Sequence, residues 1–112
     1  MTASDRAAPL DLAGHLERAE EYDLLGRYDQ AAEGLDHVIA AARADPAATS
    51  ALVLALSRRS ALARYAGQFE VAEVLLAEAG DVVTAHGLVD AACVCEFETE
   101  IGRLRLDMAG PD

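Results

Sequence analysis

Apolar residues recur along this chain at intervals of three and four, the period of helices that each bury one face. The pattern divides into five helices with short connections and no strand. The first is predicted to start near Leu10–Leu12, take Asp11 as its N-cap and run to Leu25, with Leu12, Leu16, Ala19 and Tyr22 at helical spacing. Gly26 is its natural stop, because glycine alone takes the left-handed C-terminal conformation without a steric penalty. The second helix keeps Tyr28, Ala31, Ala32, Leu35, Val38, Ile39 and Ala42 on one face. Asp45-Pro46 then ends it and begins the third, with Asp as cap and Pro at the first helical position. That third helix spans Pro46 to Ala66 and turns Leu52, Ala55, Leu56, Leu62, Ala63 and Ala66 inward. The fourth begins at Phe69 and holds period through Ala72, Leu75, Leu76, Ala79, Val83 and His86, with a break at Gly80-Asp81 as the alternative. The fifth opens after Gly87 and runs to about Met108, ahead of Gly110-Pro111. Residues 1–9 mix small and charged residues with a proline, the composition of a disordered N-terminal segment, which leaves residues 10–109 as a single helical domain.

Across this pattern one phrase occurs twice. Gly26-Arg27-Tyr28-Asp29-Gln30-Ala31-Ala32-Glu33-Gly34-Leu35 returns 41 residues on as Gly67-Gln68-Phe69-Glu70-Val71-Ala72-Glu73-Val74-Leu75-Leu76. Both read glycine, any residue, aromatic, acid, any residue, alanine, with leucine closing the phrase. A weaker echo follows at Gly87-Leu88-Val89-Asp90-Ala91-Ala92, where valine replaces the aromatic. A fixed period with a glycine hinge at each copy is the mark of stacked helical hairpins.

In its helical setting the phrase resembles the tetratricopeptide repeat. The residues that carry the resemblance are Ala19, Tyr22, Gly26, Tyr28, Asp29, Ala31 and Leu35 in the first copy, and Ser60, Ala63, Gly67, Phe69, Glu70, Ala72 and Leu76 in the second. The small residues let two helices approach closely, and the aromatic after the turn fills the wedge between hairpins. The resemblance covers residues 12–80. It departs from the family in a repeat longer than the usual length of about 34 residues. It also lacks the first-helix tryptophan, having His15 and Leu56 instead, and places Arg18 and Arg59 where a leucine is usual. Long-repeat versions in bacterial regulators are the nearest in form. The resemblance implies an all-α fold, a five-helix right-handed α-α superhelix of two hairpins plus a C-terminal helix. It also implies a concave groove for extended peptides, lined by Ala13, Leu16, Glu20, Asp23 and Leu24 of the first helix and by Leu54, Ser57, Ala61, Arg64 and Tyr65 of the third. Asp23 and Arg64 occupy the same repeat position with opposite charge; they either read a polar ligand, pair with one another or face water. The family's carboxylate-clamp version needs lysine and asparagine in this groove, and the chain contains neither.

Composition narrows the partners. Twenty acids stand against nine bases, all arginine, for a net charge of −11. Nucleic-acid binding is disfavoured, because the arginines do not cluster into a positive face. The acid excess suits either a basic protein or peptide partner or plain solubility. No apolar stretch approaches the roughly 18 residues a membrane span needs, and no signal-type run follows the N-terminus, so a cytoplasmic setting is expected. Cys93 and Cys95 lie two apart on a helix, too divergent to bridge or to chelate as a pair; both read as buried packing.

On the fifth helix Val94, Phe97, Ile101, Leu104 and Met108 form a single stripe that either caps the fourth helix or faces a partner. Leu88 to Cys95 is apolar nearly all round apart from Asp90, which favours a homodimer or a docked partner there as much as an intramolecular explanation. Catalytic chemistry finds little support. His15, His37 and His86 fall on three helices without ligand spacing, and Ser50, Ser57 and Ser60 lack a nucleophile-elbow context. Glu17, Glu20 and Glu21, like Glu96, Glu98 and Glu100, read as solvated helix faces. No cofactor, metal or catalytic residue is expected. The leading expectation is a peptide-binding adaptor or regulatory scaffold. Its competitor is a small tailoring enzyme or dimeric factor that preorganises a peptide substrate, with His15 lining the side between the first and third helices.

Overall fold

The chain is described, in a computed structural model, over residues 11–87 and 90–110. The described residues form helices α1 (Leu12–Leu24), α2 (Tyr28–Arg43), α3 (Thr49–Tyr65), α4 (Phe69–His86) and α5 (Ala91–Ala109), and no strand is found among them. The expected N-terminal disorder lies outside the described residues, as do Leu88 and Val89 of the weak third echo.

Local chemistry sets the boundaries. The Asp11 carboxylate accepts from the Gly14 N–H at 2.7 Å and caps α1; Asp90 caps α5 in the same way through Ala92 and Cys93. At the other end of α1, Gly26 takes φ +76°, its N–H donating to Asp23 O at 3.0 Å while the Arg27 N–H donates to Tyr22 O at 2.8 Å. Gly67 also sits at φ +76°, with matching bonds from Gly67 to Arg64 and from Gln68 to Ala63. The repeated phrase therefore encodes one Schellman closure used twice.

Two boundaries differ from the sequence pattern. Helix α3 starts at Thr49, not Pro46, because the Asp45 carboxylate accepts from the Ala47 N–H at 2.9 Å, folding 45–48 into a turn instead of capping a helix. Its far end also shifts, so that Ala66 is an exposed cap and not a core residue. Helix α4 runs through Gly80 without a break. The glycine serves packing: a Cβ at Gly80 would stand 3.3 Å from Phe97 Cζ, so the missing side chain is the seat of the α5 aromatic ring. His86, on the last turn of α4, is exposed instead of completing the inner face.

The centre of the molecule is α3. It packs against α2 and α4 on either side and against α5, and buries Leu52, Val53, Ala55, Leu56, Ala61, Leu62 and Ala63. An α-helix surrounded on several sides keeps little free polar surface, and the arginines of α3 are paired with acids of its neighbours. Its two fully buried serines are satisfied by carbonyls: Ser57 Oγ donates to Val53 O at 2.8 Å, and Ser60 Oγ donates to Ala72 O of α4 at 3.0 Å. Around it Ala31, Leu35, Val38, Ile39 and Ala42 of α2 and Ala72, Leu76 and Ala79 of α4 complete the core. Phe69, the aromatic of the second copy, packs beside Ala72, Leu76 and Leu104. Tyr28, its counterpart, leans on the Tyr65 ring with centroids 5.5 Å apart and stays half exposed. The α5 stripe is consumed within the chain, with Leu104 buried and Val94, Phe97 and Ile101 packed on the same core; only Met108 of the five is exposed.

Substitution at the two glycines of the α4–α5 pair should give opposite results. Gly80→Leu forces Phe97 from its seat and is expected to cost about 1–3 kcal/mol, read from urea unfolding. Gly102→Ala on α5 meets nothing within 4 Å, so it is expected to stabilise by up to about 1 kcal/mol through helix propensity alone.

Candidate functional site

Alternation of helices along the chain points α1, α3 and α5 the same way. The ion pairs Arg58–Glu96 and Arg64–Asp107 advance together along α3 and α5, so those two helices run parallel. Where α1, α3 and α5 meet, each offers a small residue, Ala19, Ala61 and Ala92, and the space these leave is a groove of about 500 Å³. Leu35 of α2 closes its floor.

The walls are charged. Helix α1 contributes Glu20 and Asp23; α3 contributes Arg58 and Tyr65; α5 contributes Cys95, Glu96, Thr99, Glu100 and Arg103. Both arginines of the lining are matched. Arg58 Nε donates to Glu96 at 2.8 Å, and Arg103 donates to Glu100 at 3.3 Å. Glu100 is buried, at 2% exposure, and also accepts from Arg64 Nε at 3.2 Å, while Arg64 Nη1 donates to Asp107 at 3.1 Å. Glu20 and Asp23 take part in no ion pair among the described residues. Burial pushes the Asp23 carboxyl above its ordinary value, with Arg58 opposing and Glu20 reinforcing the rise. Burial, and then the neighbouring Asp23 charge, likewise push the Tyr65 phenol up.

Of the ten groove residues expected from the sequence, Glu20, Asp23, Ala61 and Tyr65 line this groove. Leu16 lies on a second, smaller hollow of about 350 Å³, shared with Ala13 and Leu54 and joined to the groove through Ala92. Ser57 is fully buried, its hydroxyl committed to Val53 O, and is absent from the lining. Leu24 is 82% exposed and stands outside the lining. Arg64 neither pairs with Asp23 nor faces water: its guanidinium is held by Glu100 and Asp107 and covers the Tyr65 ring at 5.0 Å, tying α5 to α3.

Other expectations need correction. Glu96 and Glu100 are not solvated helix faces, because α3 places arginines opposite them; Glu98, one residue off that stripe, is exposed. Cys95 is exposed on the groove wall, whereas Cys93 is buried with its thiol donating to Asp90 O at 3.2 Å. His15 faces α2 and not α3: its ring lies 4.5 Å from that of His37, beside Tyr22 and Gln30. Among the described residues no three His, Cys, Asp or Glu side chains converge as a metal site. The polar groove residues missed from sequence are Arg58, Cys95, Glu96, Thr99, Glu100 and Arg103. Their signal was a polar stripe: Glu96, Glu100, Arg103 and Asp107 recur on α5 at the same intervals as its apolar stripe, opposite two arginines of α3.

Comparison with protein-family models, curated proteins and solved structures finds no match to this chain.

Arg64→Ala strands a buried carboxylate with only Arg103 as partner, and is expected to cost about 2–4 kcal/mol. Arg64→Met with Glu100→Leu, which removes both charges, should recover most of that loss in chemical denaturation. Asp23→Asn acts in the other direction. A carboxyl whose pKa is raised on folding opposes the fold once charged. That opposition is absent below the ordinary value of 3.8 and grows as pH rises through the folded pKa. The Asn variant should therefore be more stable than the parent at neutral pH, by less than about 1 kcal/mol for a partly screened group. The two should converge near pH 3.

Proposed function

We propose that this chain is a non-enzymatic interaction module of tetratricopeptide type that docks an extended protein segment along the α1–α3–α5 groove. The observation that carries the reading is the groove itself, an open channel built by every second helix and lined by three alanines beneath charged walls. A channel walled by three helices suits a chain laid across them. The repeated turns, the small residues at the helix contacts and the seat of Phe69 between α3, α4 and α5 all support the family assignment and a right-handed superhelical stack.

The placement of reactive groups supports binding over catalysis. Ser57 and Ser60 donate to backbone carbonyls, and His15 stacks on His37 of α2, outside the groove lining. The packing of the Val94–Leu104 stripe inside the chain favours the groove over the α5 seam as the place where a partner meets the protein. The reading keeps the chain in the cytoplasm, where the exposed Cys95 thiol remains reduced.

Cys95 offers a direct test, because it lies on the groove wall while Cys93 is buried. A photoactivatable maleimide attached there should cross-link a partner from native extract. Thr99→Trp, which fills the groove from an exposed position, should reduce the yield severalfold. The same label moved to the exposed face of α4, as Ala77→Cys in a Cys95→Ser background, should capture none of that partner. Equal capture from α4, or indifference to Thr99→Trp, would show the groove reading to be wrong.

A further inference from the structure

The groove has two ends of different chemistry, and together they specify a ligand. At the end nearer the Gly26 and Gly67 turns, Glu20 and Asp23 stand on α1 one turn apart and point into the channel. Every arginine in the lining is already held by a carboxylate of α5, so these two acids are the charge left over. Asp23 is partly buried and neither acid has an ion-pair partner among the described residues, so the pair attracts a cation from outside, more strongly in a concave site than on an open surface. Burial raises the Asp23 carboxyl, which is the sign of that unmet demand.

Beside the acids the surface turns apolar. Of the eight large apolar side chains left exposed among the described residues, four gather at this end: Leu24, Leu25, Tyr28 and Tyr65. Leu24 follows Glu20 by four residues on α1, one turn further along the same face. Tyr65 both lines the groove and, with Tyr28, borders the adjoining hollow, so the acids and the aromatic pair are continuous. A second copy of this chain is a poor occupant, since two molecules of net charge −11 repel and each would bring more acid to an acidic end.

We infer that the groove receives a protein segment in which an arginine or lysine is followed or preceded closely by a large apolar residue, the cation held by Glu20 and Asp23 and the apolar side chain laid on Tyr65, Tyr28 and Leu24. This rests on the groove reading above and adds to it the chemistry of the partner. Phosphate-rich and acidic ligands are excluded by the same charges, and a purely apolar segment leaves the two acids covered and unpaired. The cation gives orientation and selectivity, and the apolar neighbour gives the contact area.

Selection of phage-displayed random dodecapeptides on the intact chain tests this. The expected result is a set of peptides sharing a basic residue within two positions of Leu, Phe, Tyr or Trp. Their affinity should fall at least about tenfold on the double substitution Glu20→Gln, Asp23→Asn, the loss of one charge-assisted contact. Circular dichroism of that variant should be unchanged, which separates lost recognition from lost folding. Selected peptides that lack a basic residue yet are displaced by Thr99→Trp would overturn this inference while leaving the groove reading standing. Selected peptides that ignore Thr99→Trp would overturn both. An empty selection would also overturn the inference, because an acidic groove with an apolar rim has to retain some member of so broad a cationic set.

Discussion

Everything in this molecule depends on the burial of α3. A helix that touches α2, α4 and α5 at once keeps little free polar surface, and α3 solves the problem with alanine, leucine and two serines whose hydroxyls find carbonyls. The serine at position 60 does this across the helix contact, so one hydroxyl both satisfies itself and joins α3 to α4. Helix α1, by contrast, packs mainly on α2 and only lightly on α3. That gap between α1 and α3, floored by Leu35, is where the groove opens. The site is the place where central packing stops.

The third wall of the groove is held differently from the other two. Helix α5 joins α3 through apolar contacts on its α4 side and through ion pairs on its groove side, Glu96 with Arg58 and Glu100 with Arg64. Glu100 is nearly inaccessible, and a buried carboxylate is tolerable only because two guanidinium groups converge on it. These pairs neutralise the α3 and α5 walls and leave the α1 wall negative. The polarity of the groove is thus a by-product of how α5 is attached.

Much of the fold was legible in the sequence, and the reasons are local. Five helices follow from period and from caps such as Asp11 and Gly26, which act within a few residues of themselves. Elsewhere the pattern left an alternative open or misled. Gly80 leaves a break open as the alternative until Phe97 is placed against it, 3.3 Å from where its Cβ would be. Asp45 reads as a cap until its carboxylate is seen to fold a turn. Four of the ten expected groove residues lie in the groove, because repeat position finds the right face of α1 and α3. Arg64 occupies the right face too, but α5 reaches it first. The α5 residues were passed over because glutamates on a helix normally face water, and only the tertiary position of Arg58 and Arg64 makes Glu96 and Glu100 exceptions.

The matched closures at Gly26 and Gly67 carry a consequence of another kind. Both turns are drawn tight by the same pair of backbone hydrogen bonds, and no groove side chain takes part in either. The distance between successive walls is therefore set by main-chain geometry, while the character of each wall is set by side chains. Spacing and identity become separate variables: substitution in the groove changes the chemistry of a wall but not the turn that sets its helix. The two glycine turns keep the metre, whatever vocabulary the groove side chains supply.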